Sequence, residues 1–299
     1  MCLRIIFYLV YYRLLNFFMS LIKLKILNLA PGVKLMKKIF AFSIICFFSF
    51  LVLANAGVKT EKITYNYNNT KLKGYLAFDD SKMGKRPGIL VVHEWWGHND
   101  HARNRAKMLA EAGYTALALD MYGDGKLANH PKKAAVFMND AFNNWSESMA
   151  RYNSAMEVLK SHETVDSTRI GSIGFCFGGA VSIRMARGGS DLKGVVAFHS
   201  ALPIEPFIAK NSMKSAVLIV NGSEDDFLKP EAVANFSRDM FNANVDFTYI
   251  NIKGAKHSFT NPKADIFRKK FNIEALRYNQ KADEFAWAAM LKFFKRIFT

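Results

Sequence analysis

Five short, largely apolar runs without charged residues dictate what this chain can become: 88–92, 115–119, 170–174, 194–198 and 216–220. Each is too short for a buried helix and lacks the alternation of a strand with one wet face. Such runs suit strands covered on both sides. A sixth β-like run covers 247–252, and two more, 63–67 and 72–78, flank Asn68-Asn69-Thr70 as a hairpin-like opening. Helical patterns fall between them at about 101–112, 132–160, 177–187, 231–242 and 274–297. Strands alternating with helices predict an α/β fold with a mainly parallel sheet and helices on both faces. No Pro/Gly/Ser-rich linker divides it, so residues 57–299 read as one domain.

The N-terminus obeys other rules. Of the first 56 residues, 41 are apolar, seven are basic and none is acidic. From Met36 the chain offers Lys37 and Lys38 as a positive n-region, an apolar core over 39–53, and Ala54-Asn55-Ala56 as a small-x-small cleavage site. This predicts a signal peptide over 36–56, a mature start at Gly57, and a periplasmic or secreted protein. Residues 1–35 read as an upstream extension or as an anchor. An anchor at about 5–22 has roughly the length to span a bilayer but carries Arg13 near its middle, where a charge is costly.

Setting the leader aside removes seven positive charges from the formal +16 and leaves +9. The remaining basic residues are scattered rather than clustered on one element, which argues for a solvated surface and against a nucleic-acid partner. No stable membrane insertion is expected after cleavage. Phe293, Phe294 and Phe298 read as core packing rather than a membrane face. Of the 3 cysteines only Cys176 lies beyond the leader, which excludes an intramolecular disulfide framework and a cysteine zinc site. There is no repeat period, hence no solenoid.

In open parallel sheets the site lies off the carboxyl ends of the strands. After 170–173 comes Gly174-Phe175-Cys176-Phe177-Gly178-Gly179 and then a helical pattern. This is a strand–tight turn–helix arrangement with a nucleophile at its apex, G-x-C-x-G in place of G-x-S-x-G. A helix N-terminus there favours thiolate over thiol. A buried structural cysteine, the bland alternative, would not need glycines on both sides.

After 216–220 comes Asn221-Gly222-Ser223-Glu224-Asp225-Asp226, where this architecture places the acid that orients a histidine. Asp225 is the choice, with Glu224 and Asp226 as rivals. After 247–252, His257 sits on a glycine-containing loop, the position of the base. Asp120 precedes the nucleophile in the chain and reads as structural. Nucleophile, acid, histidine is the order of α/β-hydrolases. The early strand ends in Val92-His93-Glu94-Trp95-Trp96-Gly97, and the loop there supplies one oxyanion amide, assigned to Trp95. The second comes from the residue after the nucleophile, Phe177.

The motifs H-E-W-W-G, D-M-Y-G, G-F-C-F-G-G, G-S-E-D-D-F and K-H-S-F-T-N-P together resemble the dienelactone hydrolase family, from about Ile63 to the C-terminal helix. The resemblance implies an α/β-hydrolase fold and a Cys–His–Asp triad of Cys176, His257 and Asp225, with Trp95 and Phe177 as oxyanion amides. It also matches Glu94 to the family's glutamate that pairs with the resting thiol. The dienelactone enzymes bind the substrate carboxylate with an arginine shortly after the histidine. Here that stretch reads Ser258-Phe259-Thr260-Asn261, and Asn261 carries no charge.

The expectation is an exported hydrolase of small-molecule carboxylic esters or lactones, working through an acyl-thioester and requiring no cofactor and no metal. His93, His98 and His101 near Glu94 invite a metal reading, but H-E-x-x-x-H after a strand misses the helical H-E-x-x-H. A rival from another class is a binding or thiol redox-sensing protein on the same scaffold. A serine esterase using Ser200 or Ser258 is weaker, because neither serine has glycine at both second neighbours.

Overall fold

Side chains alternate along a strand, so a sheet buried on both faces needs apolar residues at every position. The computed structural model, which describes residues 57–299, shows how this is used. Strand β3 (Arg86–Val92) sends Leu90 and Val92 into one core and Ile89 and Val91 into the other. Strands β6 (Gly194–Phe198) and β7 (Ala216–Gly222) repeat the division, with Val195, Ala197, Val217 and Ile219 on one face and Val196, Phe198, Leu218 and Val220 on the other.

The remaining strands are β1 (Val58–Tyr67), β2 (Thr70–Asp79), β4 (Thr115–Leu119), β5 (Val165–Phe175) and β8 (Phe247–Ile252). They form one eight-stranded sheet of order β1-β2-β4-β3-β5-β6-β7-β8. The β1–β2 hairpin and the β2–β4 pair are antiparallel, and every later pairing is parallel. The hairpin turns at Asn68, whose φ of 49° suits an asparagine. Residues Val58–Thr299 make one compact unit. The leader readings at 1–35 and 36–56 lie outside the described residues.

One face is covered by α1 (Asp100–Glu111) and α7 (Gln280–Ile297), the other by α2 (Pro131–Asn143), α3 (Trp145–Ser161), α4 (Phe177–Arg187) and α5 (Pro230–Asn242). The helical pattern expected as one piece over 132–160 is two helices, interrupted at Asn144 with φ −102° and ψ 53°. A short helix, α6 (Ala264–Phe271), stands in the loop before α7 and ends at Asn272 in the left-handed region. The final helix starts six residues later than the 274–297 expectation, capped by Asn279 accepting from the Ala282 N–H. Among the described residues no helix is long and apolar enough to cross a membrane.

Candidate active site

The chain makes a sharp turn from β5 straight into α4. Cys176 sits at its apex with φ 54° and ψ −116°, a strained conformation for a residue with a side chain. Close backbone crossings explain the flanking glycines. A Cβ on Gly174 would lie 2.0 Å from the Gly178 carbonyl oxygen, and one on Gly178 would lie 2.3 Å from that of Val92. The elbow is tied to the sheet by the Cys176 N–H, which donates to the Phe198 carbonyl at 3.0 Å. The thiol is free and half-buried.

The structure brings His257 and Asp225 to this elbow. His257 Nδ1–H donates to Asp225 Oδ2 at 2.8 Å, and the Phe227 N–H donates to Asp225 Oδ1 at 3.0 Å. Both side chains are buried. Glu224 and Asp226 are exposed, which separates the three carboxylates by geometry. The other side of His257 meets Cys176. Burial works against a charged imidazole, but the Cys176 thiolate, the hydrogen bonds to Asp225 and Cys176, and the Asp225 charge outweigh it, so His257 is pushed up to about 10.

The two expected oxyanion amides are those of Phe177 and Trp95. Phe177 N–H, at the first turn of α4, has no intrahelical acceptor, and neither it nor Trp95 N–H is hydrogen-bonded among the described residues. The Trp95 carbonyl accepts from the Tyr122 hydroxyl at 3.1 Å, and Phe177 is buried.

Glu94 finds partners other than the thiol. Its Oε1 accepts from Ser258 Oγ at 2.8 Å and its Oε2 from Asn261 Nδ2, with no hydrogen bond to Cys176. A fully buried carboxylate needs strong donors, and a hydroxyl and an amide serve better than a thiol. Burial pushes the Glu94 carboxyl up, against the lowering effect of those two donors. Asn261 is itself buried, and its amide is committed to Glu94 rather than turned to a ligand.

The loop 257–261 is fixed from behind. Arg105 Nη2 donates to the Thr260 carbonyl and to both Asp283 oxygens at 2.8 Å, and His101 Nε2 lies 3.2 Å from the same carbonyl. His199, at the end of β6, places Nε2 2.8 Å from Thr260 Oγ1 and its ring edge-on to His257 at 5.1 Å. Burial, reinforced by His257, holds His199 well below the usual imidazole range. Phe227, 57% exposed, packs edge-on against His257 at 4.9 Å. Sequence reasoning passed over Arg105, His199 and Phe227. His199 alone had a signal, because it follows an apolar run as the other site residues do.

Other candidates fall elsewhere. Ser200 Oγ donates to the Ala201 carbonyl and Ser258 Oγ to Glu94, so neither hydroxyl pairs with a histidine. Asp120 accepts the N–H groups of Lys73, Tyr122, Gly123 and Gly125, a structural post for the loop after β4. His93 and His101 are engaged with backbone groups, and His98 is buried near them.

A parallel sheet with an elbow at the end of β5, an acid after β7 and a histidine after β8 defines an α/β-hydrolase. The chain belongs to the dienelactone hydrolase family, whose profile matches residues 72–298. It is a hydrolase of that family. Protein usf of Aquifex pyrophilus is 27% identical over 243 residues, spanning 80% of this chain and 99% of the relative. The crystal structure of a dienelactone hydrolase-like promiscuous phosphotriesterase from metagenomic libraries matches with 31% identity and a TM-score of 0.75, covering 81% of this chain and 99% of its own. The structure named m3DLH matches with 34% identity and a TM-score of 0.77, covering 81% of this chain and 100% of its own.

Proposed function

We propose that this protein hydrolyses small uncharged carboxylic esters or lactones through an acyl-thioester on Cys176, after export. The observation that carries the reading is a free thiol at a strained elbow, against an imidazole whose far nitrogen is held by Asp225 at 2.8 Å.

His257, whose affinity for a proton is raised, accepts the one Cys176 gives up. The sulfur attacks the acyl carbon, and the carbonyl electron pair moves onto oxygen, where the amides of Trp95 and Phe177 receive it. Each such donor is worth about 3–4 kcal/mol in a transition state. Collapse breaks the carbon–oxygen bond, and the departing alkoxide takes the proton from His257 Nε2. Neutral His257 then accepts a proton from water, whose oxygen attacks the thioester. The second collapse returns the thiolate and releases the acid. Asp225 keeps the imidazole in the tautomer this exchange needs and stabilises its cation.

Asn261 stands where the dienelactone enzymes carry a carboxylate-binding arginine, and its amide is spent on Glu94. That supports a substrate without a free carboxylate there. Residues 36–56 support export, with the mature chain beginning at Gly57. The reading is tested with short p-nitrophenyl esters and neutral lactones, wild type beside Cys176→Ala. Turnover lost in the variant supports it. Equal turnover in both rejects it, and a wild type recovered as a sulfenate or mixed disulfide with no turnover favours a redox role.

A further inference from the structure

His93 is fully buried, and the mechanism above gives it no part. Both of its ring nitrogens are nevertheless committed. Nδ1–H donates to the Glu94 carbonyl at 2.6 Å, and the Met121 N–H donates to Nε2 at 3.3 Å. A donor at one nitrogen and an acceptor at the other specify a single neutral tautomer. Burial, which holds His93 below the usual imidazole range, agrees with that state.

The Glu94 carbonyl also accepts from the Gly97 N–H at 3.1 Å. This carbonyl is one end of the Glu94–Trp95 peptide, and the other end is the Trp95 N–H. In a planar trans peptide the two point in opposite directions. Whatever fixes the carbonyl therefore aims the amide, and the Trp95 N–H is left without an acceptor among the described residues. The His93 ring also lies against Phe177, which carries the second amide, with centroids 5.8 Å apart at 29°.

We propose that His93 is a positioning residue that aims the Trp95 amide at the developing oxyanion by clamping the Glu94 carbonyl. It touches no substrate. The inference rests on the ester-hydrolase reading of the site. It assigns His93 an effect on acyl transfer, where charge builds on oxygen, and none on reactions of the thiol that create no oxyanion.

The test compares two reactions of the same thiol. Hydrolysis of p-nitrophenyl butyrate passes through an oxyanion, whereas alkylation of Cys176 by iodoacetamide is a displacement at a tetrahedral carbon and does not. His93→Phe keeps a ring and removes the donor, and His93→Asn restores a donor near the Nδ1 position. The expected result for His93→Phe is a fall in kcat of about tenfold to a hundredfold, less than the roughly hundredfold to thousandfold cost of losing a whole oxyanion donor. KM and the alkylation rate should stay within about twofold, and His93→Asn should recover most of the loss. An unchanged kcat in His93→Phe overturns the proposal, and so does a parallel fall in turnover and alkylation, which marks a merely structural role. If His93→Phe does not fold, His93→Leu against His93→Asn makes the same comparison. A wild type that alkylates but turns over no ester defeats the underlying reading, and this inference with it.

Discussion

The Asp225 carboxylate holds the His257 ring through a 2.8 Å hydrogen bond from Nδ1–H to Oδ2, while its neighbours Glu224 and Asp226 face solvent. One carboxylate of three is thus in a position to orient the imidazole. Asp225→Asn should lower kcat by about 10³–10⁴-fold, the scale of losing the correct histidine tautomer. Glu224→Gln and Asp226→Asn should change it by less than about twofold. Steady-state kinetics on one ester checks all three, and a large effect at 224 or 226 would reassign the acid.

The Cys176 charge is the foremost of the influences that raise His257 to about 10. In Cys176→Ala that influence disappears, and His257 should titrate at a clearly lower pH when followed by NMR of its ring protons. The same shift bears on stability. A histidine whose folded pKa lies above its unfolded value of about 6.5 contributes fully below that value, and the contribution is lost as pH rises toward 10. The wild type should therefore lose more of its Tm than Cys176→Ala between pH 7 and 10. Identical titrations in the two proteins would contradict the pairing.

Acid should act on the opposite sign. Burial, helped by the positive charge of Arg103, pushes His98 down to about 3. A folded pKa below the unfolded one gives stability that is present above about 6.5 and lost as pH falls toward 3. At pH 5 the loss is about 2 kcal/mol. His101 and His199, held low chiefly by burial, add in the same direction. His98→Leu should shift the acid unfolding midpoint to lower pH, as followed by circular dichroism. No shift would mean that His98 accepts its proton without unfolding.

Arg105 ties α1 to α7 and to the loop that carries His257. Its guanidinium meets both Asp283 oxygens at 2.8 Å and the Thr260 carbonyl, with exposures of 5% for Arg105 and 13% for Asp283. Breaking such a buried pair from one side costs about 3–5 kcal/mol. Asp283→Asn and Arg105→Met should each lose stability on that scale in urea unfolding, and the surviving folded protein should turn over more slowly. Wild-type stability in both would show that the pair is not what holds the loop.

How much of this was legible in the sequence follows from what each feature depends on. The parallel strands were, because a strand covered on both faces must be apolar throughout. The meeting of Cys176, Asp225 and His257 at strand ends was legible too, since loops at the carboxyl ends of neighbouring parallel strands converge and the glycines at 174 and 178 mark a close backbone crossing. The partners of Glu94 were not. They are set by side chains 164 and 167 positions away, whose directions no local pattern encodes. The break at Asn144 escaped because apolar spacing runs across it while one backbone torsion departs from the helix. Helix α6 is only eight residues long, too short for its periodicity to stand out from a loop.

The central claim is covalent catalysis at Cys176, and the most direct measurement is rapid mixing of p-nitrophenyl butyrate with the protein beginning at Gly57, followed by intact-mass detection. The account predicts a transient adduct of one butyryl group on Cys176, formed and lost at rates consistent with turnover, and neither adduct nor turnover in Cys176→Ala. Ester turnover in Cys176→Ala at the wild-type rate would contradict it.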